Sequence, residues 1–209
     1  MSAIYVLAGV NGAGKSSIGG AAIRAFGGDW YNPDEFARTL MARNPALGQR
    51  DANGIAWSNA VTLLGHAIEK RLDFAMETTL GGSTISRLLA KAAADGIAIR
   101  IWYVGLATAE QHIARVRARV AKGGHDIPEA DIRRRFKHSR INLIDLLPVL
   151  AALRVFDNSA EADPDAGLAP APKLVLSVEH QRILAPKDLW RSPEWAKPIV
   201  AAALRPAAN

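Results

Sequence analysis

The chain begins with an unbroken apolar run, Ala3-Ile4-Tyr5-Val6-Leu7-Ala8, ending at Gly9. A short run rich in β-formers with no polar alternation reads as a strand buried on both faces. A helix is predicted from about Lys15 to Ala25, stopped by Gly27-Gly28, and Trp30-Tyr31 reads as a short strand. Asn32-Pro33-Asp34-Glu35 reads as a helix start, with Asn32 as N-cap and Pro33 in the first helical position. From about Ile55 to Arg71 helical spacing puts Val61, Leu64, Ile68 and Leu72 on one face.

Phe74-Ala75-Met76 is the next strand, with Glu77 at its end, and Gly81-Gly82-Ser83 leads into a helix carrying Ile85, Leu88 and Leu89. Ile97 to Val104 is a third long strand. Thr108-Ala109-Glu110-Gln111 has the spacing of a capping box. The helix it opens breaks over Lys122 to Pro128, and another runs from about Glu129 towards Leu147. Leu153 to Phe156 is a fourth strand, residues 160–171 are a loop, Lys173–Val178 and Arg182–Leu184 are terminal strands, and Trp195 to Leu204 is a closing helix. Strands alternating with helices predict an α/β fold, a parallel sheet with helices on both faces. No boundary divides the 209 residues, so one domain is expected.

Composition narrows the chemistry. With no cysteine, disulfides, thiolate zinc sites and a thiol nucleophile are excluded. No apolar run is long enough for a membrane span, and Met1-Ser2-Ala3-Ile4-Tyr5 lacks a secretory n-region, so the expected location is the cytoplasm. Between Arg115 and Arg140 nine basic residues face three acidic ones, which accounts for the whole net charge of +6. The remaining chain is balanced. A cluster so local suits a compact anion such as a phosphate group and argues against a nucleic-acid coat. A solvated basic helix is the plainer account of the same residues. Trp57, Trp102, Trp190 and Trp195 are expected to be packing residues, since no basic residues interleave with them.

Gly9-Val10-Asn11-Gly12-Ala13-Gly14-Lys15-Ser16 satisfies G-x-x-x-x-G-K-[ST] between a predicted strand and a predicted helix. Such a loop wraps amide N–H groups around phosphate oxygens at a helix N-terminus. The nucleotide-binding residues are therefore Gly9, Asn11, Gly12, Ala13, Gly14, Lys15, Ser16 and the adjoining Ser17. Lys15 would reach the β and γ phosphates of ATP and Ser16 would ligate Mg²⁺. Removing the Lys15 charge is expected to abolish turnover and leave the fold intact. No Asn-Lys-x-Asp signature for guanine is present, and neither central strand ends in the Asp of a helicase or transporter. A small P-loop chain with a later arginine-rich segment, about residues 115–140, fits a kinase whose lid carries arginines to the γ-phosphate.

Four motifs in order carry a resemblance: the P-loop; Asn32-Pro33-Asp34-Glu35; Glu77-Thr78-Thr79; and Arg119 to Pro128 followed by Arg133-Arg134-Arg135-Phe136. Together, over about residues 3–159, they resemble the zeta toxin family, and most of all its shorter chromosomal kinases. The resemblance implies ATP-dependent transfer of a phosphoryl group to a sugar hydroxyl of UDP-N-acetylglucosamine or a related UDP-sugar. It implies Asp34 as the base that takes the hydroxyl proton, Glu77 and Thr79 as substrate contacts, Arg119 as a lid arginine, Asn142 as a substrate-side asparagine and an antitoxin protein as a partner. Helical phasing from Ile132, Phe136 and Leu143 sets Arg135 and Asn142 on one flank of the core face and Arg134 towards solvent, which selects Arg135 as the second lid arginine. Two positions depart from the long-form toxins: Gly81 and His125 stand where those carry arginines. Plainer roles are a helix-start acid for Asp34, a strand-end acid for Glu77, and solvation for all three arginines. Asp157-Asn158-Ser159 either borders the adenine or is a polar turn. A kinase for another small hydroxylated metabolite, or a P-loop ATPase serving as a regulatory or nucleic-acid-binding module, are the alternatives.

Overall fold

A computed structural model describes residues 2–15, 30–160 and 171–205. The predicted helix after Lys15, with Ser16 and Ser17, and most of the loop before Lys173 lie outside the described residues.

Seven strands form one sheet: β1 (Ala3–Ala8), β2 (Trp30–Tyr31), β3 (Phe74–Thr78), β4 (Ala98–Gly105), β5 (Ala152–Asp157), β6 (Lys173–Glu179) and β7 (Arg182–Ala185). Their order is β2-β3-β1-β4-β5-β6-β7. The five strands from β2 to β5 are parallel, and β1 lies central, with Leu7 in register with Glu77 on one side and Trp102 on the other. The sheet departs from the predicted parallel one at its end, where β6 runs antiparallel to β5 and β7 antiparallel to β6. His180 and Gln181, which join the last two strands, both have positive φ. That is the backbone of a tight hairpin, built here without the glycine or Asn-Gly pair that would have announced it.

The helices are α1 (Pro33–Arg43), α2 (Gln49–Lys70), α3 (Ser83–Ala94), α4 (Ala109–Val120), α5 (Glu129–Leu146) and α6 (Lys197–Ala203), the last preceded by a 3₁₀ turn at Glu194–Ala196. Asn32 caps α1 through its Oδ1, which accepts the N–H groups of Asp34 and Glu35 at 2.9 and 3.3 Å. At α4, Thr108 Oγ1 accepts the N–H of Gln111, but Gln111 Oε1 accepts from Ala107 rather than from Thr108, so the box closes one residue early.

α2 starts six residues before the predicted Ile55, and its buried face is Ala52, Ala56, Ala60, Leu64 and Ala67, with the predicted Leu72 exposed beyond its end. The first two turns bury only alanine, so they lack the large apolar residues that reveal a helix. The small side chains let α1 approach closely, around Ala37, Ala52 and Ala56. The main core is formed by one face of the sheet with α2, α3, α5 and α6, including Ile4, Val6, Leu64, Met76, Leu89, Ile101, Leu143 and Trp195. A smaller cluster of Val10, Ile113, Val116, Ile127 and Ile132 fastens α4 and α5 to the loop after β1. Two tryptophans expected to pack do not: Trp190 is 75% exposed beside Arg191, and Trp57 is 52% exposed. Among the described residues no helix is long and apolar enough to cross a membrane.

Candidate active site

Parallel strands deliver their C-terminal ends, and the loops that follow, to one edge of a sheet, where α/β folds bind ligands. The ends of β1, β2 and β3 converge there. Gly12 and Gly14 take φ of +82° and +83°, a region glycine enters without penalty, and so turn the chain from Gly9 back to Lys15. Lys15 is almost fully buried, and its Nζ lies 3.3 Å from Glu77 Oε1 and 3.5 Å from the carbonyl of Val10. Glu77 Oε2 accepts from Asn32 Nδ2 at 3.3 Å. The asparagine that caps α1 therefore also steadies the carboxylate at the end of β3, a second duty that a capping pattern does not reveal.

The loop is braced from behind by His112, which sequence reasoning missed, and by Asn158, for which it left a nucleotide contact or a polar turn open. His112, buried in α4, donates through Nδ1 to the carbonyl of Asn11 at 2.9 Å. Burial pulls its pKa down to about 4, so the ring is neutral. Asn158 Nδ2 donates to the carbonyl of Ala13 at 2.9 Å, and Arg115 donates to the carbonyl of Asn158 at 2.8 Å. The Asp157-Asn158-Ser159 segment thus touches the phosphate loop itself. His112 and Arg115 stand one turn apart on α4, which is the only signal the sequence carried.

Two hollows meet at Asn32, Asp34 and His125, and the first of them reaches Lys15 and Asn11 of the phosphate loop. The first, about 210 Å³, is walled by Asn53 and Trp57 of α2, Met76 to Thr79 of β3 and its loop, residues 125–128, and Asp131 and Arg135 of α5. The second is a groove of about 960 Å³ between α1 and α4, lined by Arg38, Arg115, Arg119 and Lys122. Asn32, Asp34 and His125 line both. Asp34 lies in the first turn of α1 with its side chain 40% exposed and its Oδ1 3.9 Å from His125 Nε2.

The arginines sort by side. Arg135 Nη1 donates to Asn11 Oδ1 at 2.8 Å, linking α5 to the phosphate loop. Burial lowers its pKa from the ordinary value, though a guanidinium stays charged in proteins. Arg134 pairs with Asp131 at the surface and Arg133 with Glu110. Arg119 donates to the carbonyl of His125 at 3.2 Å, and its Nε is buried with no partner among the described residues. An orphaned guanidinium N–H beside a basic groove has the donor chemistry a phosphate oxygen requires. Gly81 explains how Arg135 comes so close. A Cβ there would stand 2.6 Å from Arg135 Cγ and 3.1 Å from its Cβ. Asn142 is not at the cavity; its Nδ2 donates to the carbonyls of Leu80 and Gly82 and shapes the loop after β3. Thr79 does line the cavity, and its Oγ1 accepts from Gly81.

Comparison with known proteins gives three kinds of match. The model of the zeta toxin family matches residues 2–163. A protein of Haemophilus influenzae, described as uncharacterized, is 33% identical over 132 residues, covering 61% of this chain and 88% of that one. Among solved structures, the AvrRxo1-ORF1:AvrRxo1-ORF2 complex with sulphate ions has a chain that matches with a TM-score of 0.68 at 15% identity over 100% of this chain. This chain spans 66% of that one. The same complex, solved with ATP, also matches with a TM-score of 0.68 at 15% identity. The PezAT toxin-antitoxin system of Streptococcus pneumoniae matches with a TM-score of 0.52 at 14% identity over 75% of this chain and 68% of the other. At such identities the structural likeness is one of fold.

Proposed function

The chain belongs to the zeta toxin family, a P-loop kinase by family and fold, and from that premise we propose that it transfers the γ-phosphoryl group of Mg·ATP to a sugar hydroxyl of a UDP-sugar, with UDP-N-acetylglucosamine as the first candidate. The observation that carries the reading is the position of Asp34, which borders both the small cavity and the basic groove. A donor whose terminal phosphate lies at Lys15 and Asn11, which line the cavity, and an acceptor hydroxyl beside it would meet at that carboxylate.

In this mechanism the phosphate loop and Lys15 hold the β and γ phosphates, and Ser16 would hold an Mg²⁺ ion, which would supply further positive charge there. Lys15 faces Glu77 and would share its charge with the nucleotide. The acceptor hydroxyl gives its proton to Asp34, its oxygen bonds to the γ-phosphorus, and the bond to the β–γ bridging oxygen breaks to release ADP. Arg119 and Arg135 supply the charge that steadies the transferring group. The cavity is smaller than the about 300–1,000 Å³ usual for a whole ligand, so it would take the reacting sugar and leave the uridine diphosphate outside. Trp57 offers an aromatic wall and Asn53 and Asp131 polar partners, a combination suited to a sugar. The AvrRxo1 and PezAT matches are complexes or toxin-antitoxin systems by description, which supports a protein antitoxin as a partner here too.

Incubating the protein with Mg·ATP and a panel of UDP-sugars tests the reading. ADP release should rise with one of them, and mass spectrometry should show that sugar nucleotide carrying one added phosphoryl group. ADP release that no UDP-sugar alters, but another hydroxylated metabolite accelerates, would discard the UDP-sugar acceptor and keep the kinase.

A further inference from the structure

His125 has no part in the transfer proposed above, yet it occupies the junction. Its ring is 12% exposed and lines both the cavity and the groove, with Nε2 3.9 Å from Asp34 Oδ1. Its own carbonyl is held by Arg119, and Gly124 N donates back to the carbonyl of Arg119 at 3.0 Å. The loop carrying His125 is therefore fixed to the arginine whose Nε has no partner. Among the described residues, the charged groups nearest the ring are Asp34 and Arg38 from α1, Arg119 from α4 and Asp126 from its own loop, with Lys15, Glu77, Asp131 and Arg135 across the cavity and Glu35, Arg115 and Lys122 along the groove.

Resting on the nucleotide-binding reading above, we propose that His125 is a phosphate-sensing positioning residue: neutral before the nucleotide binds, it takes a proton from solvent when the triphosphate reaches the junction, and the resulting imidazolium bridges the terminal phosphate and Asp34. Burial is the largest influence and holds the ring below its ordinary pKa; the attraction of Asp34 is opposed by Arg119 and Arg38. Phosphate oxygens arriving on Arg119 and Arg38 neutralise that opposition and add attraction of their own, and an opposite charge within about 4–6 Å moves a pKa by roughly one to three units. The sign follows from linkage. A group whose pKa rises on binding takes up protons as the ligand binds, so affinity falls as pH rises. An arginine at this position would be charged at all times. A histidine makes the charge conditional on the donor and places Asp34 only once the donor is there.

Calorimetric titration of the full chain with Mg·ATP, at saturating Mg²⁺, without acceptor and in two buffers of unlike ionisation enthalpy at pH 7, reads the proton directly. The wild type should take up at least about 0.3 proton more than His125→Gln on binding, and its Kd should rise at least about threefold from pH 6.5 to 8.5. The Kd of His125→Gln should stay flat and meet the wild-type value at the alkaline end. His125→Asn, with a shorter amide, should behave as His125→Gln does. Equal proton uptake in wild type and variants, or parallel pH curves, overturns the proposal while leaving the kinase reading in place. A folded wild type that does not bind Mg·ATP overturns both.

Discussion

Lys15 and Glu77 face each other at 3.3 Å, each almost wholly buried, one in the phosphate loop and the other at the end of the neighbouring strand. The pair changes what a substitution at Lys15 should do. Removing one member of a buried pair leaves an uncompensated charge and costs about 3–5 kcal/mol. Asn32 still holds the carboxylate of Glu77, so the low end applies. Lys15→Ala should therefore lose turnover and also melt lower, by on the order of 10 °C for a chain of this size. Glu77→Gln, which removes the charge and keeps the shape, applied on top of Lys15→Ala, should restore part of the loss. Calorimetric midpoints of the single and double variants decide it; an unchanged midpoint for Lys15→Ala would show the pair to be worth nothing.

Asp34 has no part in capping α1, because Asn32 does that through its own Oδ1. Asp34→Asn should therefore keep the melting midpoint within the roughly 0.3–1 kcal/mol of a helix-start charge and keep Mg·ATP affinity. Phosphoryl transfer should fall at least about 10²-fold, the lower range for a general base. A transfer rate near wild type in this variant returns Asp34 to an ordinary helix-start acid.

Three consecutive arginines on α5 separate by their partners. Arg135 reaches Asn11 in the phosphate loop, whereas Arg134 pairs with Asp131 at the surface. Arg135→Ala should cut transfer at least about 10²-fold, below the 10³–10⁵ of a full transition-state arginine. Arg134→Ala should leave transfer within about twofold, as exposed ion pairs contribute little. Single-turnover rates on both variants test the assignment, which fails if their effects are reversed.

His112 predicts an acid weakness. Its folded-state pKa of about 4 lies below the ordinary 6.5, so as pH falls the unfolded chain takes the proton first. Stability should be full above about pH 6.5 and decline towards pH 4, by on the order of 3 kcal/mol for one such group. Urea unfolding across that range should show a flatter profile in His112→Gln, and identical profiles would remove His112 as the cause.

The sheet and the phosphate loop were legible because their signals are local. A run such as Ile4 to Ala8 can only be a buried strand, and glycine spacing dictates a loop that wraps an anion. Arg135 was reachable by phasing a single helix. What escaped depends on distant pieces of chain meeting: Asn32 on Glu77, His112 on Asn11, Asn158 on Ala13. None of these pairs has a spacing that a linear pattern can reveal. Trp57 escaped for a different reason. It stands beside Ala56 on the part of a helix whose buried stripe is alanine, so the largest residue of that segment lines the cavity and not the core. Gly81 read as a substrate-side departure; its spatial meaning is the room it leaves for Arg135.

The tie between Asn158 and Ala13 spans 145 positions of sequence. During synthesis the nucleotide loop leaves the ribosome early, but the side chain that pins its carbonyl arrives only after β5 has been made and paired with β4. Contacts of such separation close late in folding. The nascent chain thus carries an unfinished phosphate cradle until the 145 positions that separate the loop from its brace have been made.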